Sequence, residues 1–525
     1  MHPDHAPDLA DSAIYTAREA DWRCGAVIYQ VLVDRFAPSA DLAAKAHLYP
    51  APKQLMAWSD QPRSGRYLDD ARLWSQEIQF WGGDLASTAS RLGHVRGLGA
   101  DVLYLNPIHL AYTNHKYDAL DYLQLSPEFG TMDDFHALAD ATHAHGMKLV
   151  LDGVFNHMGR NAPRFQRAMA AYEAEGTPTG GGREAAGGPD DRDWFAFGPQ
   201  FPGGARTWWL NENLPELNLE HPPVRDHVYG TPDSAVRHWL RAGADGWRLD
   251  VGVDIGFRYL AELTAAAHAE KPGSLVVGEI ASYPAEWFPH VDAVMHFSLR
   301  HILLKLSSGQ LDGATAMRMI HRMTDDSGID HMLRSWIFLD NHDTPRLATT
   351  LPDPAQRRLA QVLQFTLPGA PNLYYGSEVG MTGGDDPAMR APMRWDQVDA
   401  GHPELDWTRR LIALHQSHRA LKVGNLRAIT SHRLIGFERH TDRVADTVLV
   451  IANPTDETIT ETVLTGNSRL MNPFRLLDLL GTAPGPDPLR VVCGMVDVTL
   501  PPKGFVVLQP EVQPEGGYSS YKRVP

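Results

Sequence analysis

Cysteine is scarce: the 525 residues hold two, Cys24 and Cys493. Two cysteines near opposite ends make no disulfide framework, so an ordinary apolar core must hold the fold, and the pair could join only if both ends of the fold meet. Long hydrophobic runs are missing as well. No stretch of about 18 apolar residues occurs, so no membrane-spanning helix is expected. The opening M-H-P-D-H-A-P-D has no basic segment followed by an apolar run, so no export signal is expected and the cytoplasm is the simplest location. Basic runs are absent too. With 48 Lys and Arg against 64 Asp and Glu, the formal net charge is −16, and neither nucleic acid nor an anionic membrane is an expected partner.

What is present is a repeating alternation. After a polar lead-in over 1–24, read as irregular, the run A-V-I-Y-Q-V-L-V (26–33) has strand length and β-branched composition. Further strands are expected at 101–106, 147–152, 245–251, 275–279, 293–297, 336–340 and 372–375. Helical spacing marks 84–98, 133–145, 233–243, 256–270, 298–323, 355–367 and a segment near 407–421. Continuous apolar strands parted by helices mean a parallel sheet buried on both faces. Eight such units predict an α/β fold, a (β/α)8 TIM barrel. The competing doubly wound sheet usually carries a Gly-rich fingerprint after its first strand. Here that position reads D-R-F-A-P-S (34–39).

The alternation is interrupted at 158–230 by a long insertion. It contains a Gly-rich run over 177–191 and an aromatic cluster with Trp194, Phe195, Phe197, Trp208 and Trp209. From 425 the pattern changes to short strand-like runs at 432–437, 447–452, 458–464, 489–492 and 496–500, read as an antiparallel β domain. The expected division is therefore a lead-in (1–24), a barrel (25–157 and 231–424), an inserted domain (158–230), a C-terminal β domain (425–515) and a loose tail (516–525).

In a (β/α)8 barrel the chemistry sits at the C-terminal ends of the strands. The polar residues there are Asp152 with Asn156 and His157, Arg248 with Asp250, Glu279, and Asn341-His342-Asp343. Period-2 geometry puts Arg248 and Asp250 on one face, where the arginine favours an ionised aspartate. A structural ion pair satisfies the same spacing, and on those residues alone the two readings stand level. The wider set admits two chemistries. A His/Asp cluster could bind a metal, but the His-x-His and His-Glu-x-x-His spacings of common metal sites are absent. Two carboxyls, one ionised and one protonated, suit glycoside hydrolysis. Glu279 follows the apolar run L-V-V-G, which suits a raised pKa, and the aromatic residues suit sugar rings.

Four stretches, D-G-V-F-N-H (152–157), G-W-R-L-D (246–250), V-G-E-I (277–280) and F-L-D-N-H-D (338–343), resemble in order the main motifs of the α-amylase superfamily, glycoside hydrolase family 13. The resemblance covers roughly residues 25–510. It implies Asp250 as nucleophile, Glu279 as general acid/base and Asp343 as transition-state stabiliser. It also implies Arg248, His157 and His342 on the sugar, Asp152 supporting Arg248, and Tyr117 with Asp118 as the stacking tyrosine and its neighbour. Asn341 and Trp209 complete the expected substrate contacts. The insertion matches the family's domain B and the C-terminal β domain its domain C.

Further stretches, F-W-G-G-D-L (80–85), N-H-K-Y-D (114–118), L-P-E-L-N (214–218), P-N-L-Y-Y-G-S-E-V-G-M (371–381) and D-D-P-A-M-R-A-P-M-R-W-D (385–396), look like the cyclomaltodextrinase, neopullulanase and maltogenic amylase group. The expected activity is a retaining α-glucoside hydrolase on α-1,4 bonds, with α-1,6 bonds also considered, of short, cyclic or branched maltooligosaccharides. A transglycosylase or isomerase on the same scaffold and a non-catalytic sugar-binding relative are the alternatives. Three departures stand out. The sequence begins almost at strand 1, so the group's N-terminal β domain is not expected. Ala281-Ser282 stand where the group usually has Trp. Glu216 stands where it often has Lys. No cofactor is expected: Val253-Asp254 replace the Lys-His pair of many α-amylases, which weakens the case for their calcium site. A homodimer is suggested by analogy alone.

Overall fold

The computed structural model describes residues 7–175, 191–399, 401–472, 475–485, 487–512, 521 and 524. Eight strands close into a parallel barrel: β1 (Ile28–Val31), β2 (Val102–Leu105), β3 (Lys148–Gly153), β4 (Gly246–Leu249), β5 (Leu275–Ile280), β6 (Ala293–His296), β7 (Trp336–Phe338) and β8 (Ala370–Tyr374). Each strand pairs in parallel with its sequence neighbours and β8 closes on β1, for example Ile28 beside Asn372. This is the expected (β/α)8 architecture.

Side-chain alternation sorts the strands into two cores. Ile28, Val102, Tyr104, Val150, Val277, Met295, Trp336 and Phe338 point inward and fill the barrel with one apolar cluster. Their neighbours Tyr29, Val31, Leu103, Leu105, Leu149, Leu151, Trp247 and Leu249 point outward and join the larger core under the helices. Carrying the inward parity past the apolar plug reaches Gln30, Asn106, Asp152, Arg248, Asp250 and Glu279. All of these lie toward the C-terminal ends of their strands, so the barrel mouth is polar by register.

The helices around the barrel are Leu85–Ala89, Leu92–Leu98, Met132–Ala144, Ala235–Ala242, Gly252–Glu270, Phe297–Ser307, Gly313–Ser327, Pro354–Thr366 and Pro403–Ser417. Three expected single helices are each divided, the segment near 407–421 at His418 between Pro403–Ser417 and Arg419–Val423. The 84–98 segment breaks at Ser90–Arg91, and the 298–323 segment breaks over 308–312, where Asp312 caps a new helix by accepting from the Thr315 amide.

The lead-in is not irregular. Pro7–Ala20 forms a helix. Proline at its first position, followed by leucine, alanine, glutamate and arginine, suits a helix. Tertiary contacts anchor it: Arg18 Nε lies 2.7 Å from Asp330 Oδ1, and its Nη1 donates to Val423 O and Asn425 Oδ1. Over 13–20 its polar composition reflects one buried side, with Tyr15 and Arg18, the other side chains there being exposed.

The insertion after β3 carries a helix, Pro163–Glu175, and a small aromatic core in which Phe165 meets Phe195 and Tyr172 stacks on Phe197. Its Gly-rich run falls outside the described residues except for Asp191, as does most of the 516–525 tail. Beyond the barrel lie β9 (Asn425–Ala428), β10 (Ile435–His440), β11 (Val448–Ala452), β12 (Ile459–Leu464), β13 (Leu476–Asp478), β14 (Met495–Leu500) and β15 (Phe505–Pro510). An antiparallel sheet runs β9-β10-β11-β15-β13, and β12 pairs with β14. The expected strand at 489–492 is not one: only isolated bridges, Arg475 to Arg490 and Val492 to Met495, occur there. The turn at Cys493-Gly494, both at positive φ, ends the pairing. Cys24 is buried, Cys493 is exposed, and both are free. No helix among the described residues is long and apolar enough to cross a membrane.

Candidate active site at the barrel mouth

Arg248 organises the mouth. It is fully buried on β4, directly beside Asp152 on β3. Its Nη1 donates to Asp152 Oδ1 at 2.8 Å and to Asp250 Oδ1 at 2.9 Å, and its Nη2 lies 3.0 Å from Glu279 Oε2. One guanidinium therefore touches three carboxylates. The spare oxygen of Asp152 accepts from the Tyr104 hydroxyl at 2.6 Å and the Tyr117 hydroxyl at 2.8 Å. Glu279 Oε2 also accepts the Val251 amide at 2.8 Å. Val251 adopts φ 42°, a left-handed turn that swings the chain from β4 into the next helix immediately after Asp250.

A second group faces the first across the mouth. His342 Nε2 is 3.0 Å from Asp343 Oδ2. Its Nδ1 faces the Gln30 side-chain nitrogen at 2.9 Å and that of Asn106 at 3.2 Å. Two donors on Nδ1 assign the ring proton to Nε2, which faces both the Tyr117 hydroxyl at 2.5 Å and Asp343. Tyr117 stacks on His342 with rings 5.4 Å apart and 4° from parallel. Arg390 fixes Asp343 from behind, with Nη2 to Oδ1 at 3.1 Å, while its Nε donates to His342 O at 2.8 Å.

Above these groups lies a cleft of about 470 Å³ whose walls include Tyr117, His157, Trp208, Asp250, Glu279, Asp343 and Arg390. Three carboxylates thus converge on one cavity with tyrosine and tryptophan rings. The profile described as the alpha amylase catalytic domain matches residues 30–434. The chain belongs to the alpha-amylase family. It is 32% identical over 403 residues to a cyclomaltodextrinase of Bacillus sp, covering 71% of this chain and 66% of that protein. It is 30% identical over 434 residues to neopullulanase 2 of Thermoactinomyces vulgaris, covering 79% and 66%. The chain thus spans just under two thirds of the length of these curated relatives. Among solved structures, the ligand-free cyclic alpha-maltosyl-(1→6)-maltose hydrolase of Arthrobacter globiformis superposes with a TM-score of 0.74 at 28% identity, covering 93% of this chain and 99% of that one.

The electrostatics of this family member correct one expectation. Arg248 does not simply hold Asp250 ionised, because it is shared among three carboxylates. Burial is the largest influence on Asp250 and pushes it well above the usual aspartate range, with the charges of Glu279, Asp152 and Asp343 adding to the rise against Arg248. Burial likewise raises Glu279 and Asp152. Asp250 and Glu279 therefore both lie above their ordinary values, and the titration of each depends on the charge of the other. Asp343 behaves oppositely. Burial pushes it up, but His342, Arg390 and Arg248 outweigh burial and its carboxyl lies below the ordinary value. Burial holds His342 down at about 3, so it is neutral at pH 7, and Arg390 is the nearer cation that keeps Asp343 ionised. His157 is likewise held neutral, its pKa lowered by burial to about 3.

Of the residues expected from sequence, Tyr117, His157, Asp250, Glu279 and Asp343 line the cleft, and Asp152, Arg248 and His342 support them from below. Three others are elsewhere. Asp118 is fully buried and faces the Thr113 turn, its carboxylate accepting the Thr113 amide at 3.1 and 3.2 Å. Asn341 is fully buried and accepts the Asp343 amide at 3.1 Å, so it shapes the turn beneath that carboxylate. Trp209 does not line the cleft: it is 83% exposed, and the adjacent Trp208 takes the wall position, stacked on His157 at 5.8 Å.

Sequence reasoning missed Gln30, Tyr104 and Asn106, which continuing the inward parity of β1 and β2 would have found. It also missed Arg390 and Asp386, ion-paired at 3.3 Å, which lie within the quoted 385–396 stretch. Glu77, which contacts His115 Nε2 at 3.1 Å on the cleft wall, comes from the irregular 34–83 segment and carried no signal. Among the described residues no group of three or more His, Cys, Asp or Glu side chains is arranged as a metal site.

Proposed function

We propose that this chain is a retaining α-glucoside hydrolase that cleaves α-1,4 bonds, with α-1,6 bonds as a further candidate, in short, cyclic or branched maltooligosaccharides. The observation that carries the reading is the single guanidinium of Arg248 holding Asp250 and Glu279 together. One proton on that pair supplies an acid and a nucleophile at once. Two carboxyls held as close neighbours suit double displacement, where they stand about 5–5.5 Å apart.

In the reactive state Asp250 is ionised and Glu279 is protonated. Glu279 gives its proton to the glycosidic oxygen as the bond from that oxygen to the anomeric carbon breaks, and an Asp250 oxygen forms an ester to the same carbon. The leaving sugar departs as an alcohol. Glu279, now ionised, takes a proton from water, whose oxygen attacks the anomeric carbon and releases Asp250. Two inversions retain the α configuration. Positive charge builds on the sugar ring in both steps, and Asp343, kept ionised by Arg390, offsets it. Tyr117 presents its ring to the sugar, its orientation set by Asp152 and the His342 stack. The choice of substrate class is supported by the relatives' names and by a cleft of roughly oligosaccharide size.

The test is a proton NMR time course on γ-cyclodextrin, maltotetraose and panose offered separately, with wild type and Glu279→Gln. Initial α-anomers, and a kcat in the variant lower by about 10²–10⁴-fold, are expected. Initial β-anomers, or an unimpaired variant, would refute the mechanism.

A further inference from the structure

Next to the cleft, the backbone of domain B does something costly. Trp209 and Leu210 are consecutive non-glycine residues at positive φ, 47° and 61°. They are also the two most exposed large apolar side chains described, at 83% and 72%. Strain and solvent-facing apolar surface at one point need a reason, because neither aids folding.

The tip is rigidly mounted. The Trp208 amide donates to Leu214 O at 3.0 Å, the Asn211 amide to Trp208 O at 2.8 Å, and the Leu214 amide to Asn211 O at 2.9 Å. Below it Thr207 bridges Pro215, and Arg206 pairs with Glu216 at 2.6 Å. On one side Trp208 is pinned by its stack on His157 and by its indole nitrogen donating to Asp254 Oδ2 at 3.1 Å. Trp208, Asn211 and Leu214 all line the cleft. The two projecting residues are therefore flanked on both sides by cleft wall. The left-handed turn points the Trp209 indole outward, whereas an ordinary extended backbone would alternate the side chains along the wall.

We propose that Trp209 is a stacking platform for an outer glucosyl unit of the substrate chain, with Leu210 as its apolar flank. This rests on the reading of the cleft as an α-glucan site. The C–H face of a glucose ring is apolar while its edges carry hydroxyls, so it fits a flat indole in a polar rim such as Asn211, Glu212 and the Arg206–Glu216 pair provide. A fixed platform binds without first ordering a loop. It contributes only when the chain is long enough to reach it, so it acts as a length selector.

The experiment compares kcat/KM for maltoheptaose and maltotriose in wild type, Trp209→Ala, Trp209→Leu and Trp209→Phe. The ratio of the two values is expected to fall about tenfold in the Ala and Leu variants, through KM for maltoheptaose, and to stay within threefold of wild type in Phe. A ratio within twofold of wild type in Trp209→Ala overturns the proposal, and so does rescue by Leu, which supplies apolar surface without a flat face. A wild-type protein that cleaves neither sugar overturns both this proposal and the proposed function. Cleavage of both with an unmoved ratio overturns the platform alone.

Discussion

Arg248→Met tests the electrostatic reading directly. The methionine roughly keeps the stem but removes the one cation touching Asp152, Asp250 and Glu279 at 2.8–3.0 Å. Three buried carboxyls cannot all stay charged without it, so the cluster takes up about one more proton in place of the lost charge. Protonating an aspartate of ordinary pKa 3.8 costs about 1.4 kcal/mol per pH unit. The penalty is then about 4 kcal/mol at pH 7 and about 1.6 kcal/mol at pH 5. The first figure matches the roughly 3–5 kcal/mol typical of removing one partner from a buried ion pair. The sign follows from linkage: the variant's folded state binds the extra proton, so its deficit shrinks as pH falls. Urea unfolding of both proteins at pH 5, 6 and 7 measures it. A deficit that is the same at pH 5 and pH 7, or below about 1 kcal/mol at pH 7, would refute the reading of Arg248 as the charge that keeps the cluster ionised.

Other outcomes follow from single contacts. Arg390→Met removes the cation behind Asp343, so that carboxyl rises and the acid limb of the kcat/KM profile moves to higher pH; an unmoved limb would mean that Arg390 does not set the charge of Asp343. His109 is buried against Trp247 with neither ring nitrogen bonded to a protein atom, and burial lowers its pKa from 6.5 to about 3. Below pH 6.5 the unfolded chain gains a proton that the folded chain refuses, so this stability is lost as pH falls toward 3. His109→Phe is therefore expected to gain about 2 kcal/mol on wild type between pH 7 and pH 5, read by urea unfolding. An equal response of the two proteins to pH would place the acid sensitivity elsewhere.

Much of the molecule was legible in one dimension because its rules are local. Strand periodicity and glycine stops located the eight barrel strands, since a strand buried on both faces must be apolar throughout. The four motifs placed Asp152, Arg248, Asp250, Glu279 and Asp343 at strand ends. The period of 2 put Arg248 and Asp250 on one face, and they do share a bond. The same alternation, carried further along β1 and β2, would have added Gln30 and Asn106. Where local composition misled, tertiary contacts had the deciding weight. The polar N-terminal segment is helical because Arg18 reaches Asp330 and Val423, hundreds of residues away. Strand β15 was overlooked, as were β9 and its own neighbour β13, although β10 and β11 were not.

The sequence by itself determined which residue types stand at the barrel mouth, because register along a strand is a property of the chain. Only the tertiary structure decided how those residues share charge. That Arg248 serves three carboxylates and not one, that Arg390 backs Asp343, and that Trp208 and not Trp209 forms the wall all depend on distances between segments far apart in the chain. Burial depends on every neighbour at once, and in this cleft burial is the largest influence on each of the three carboxyls around Arg248.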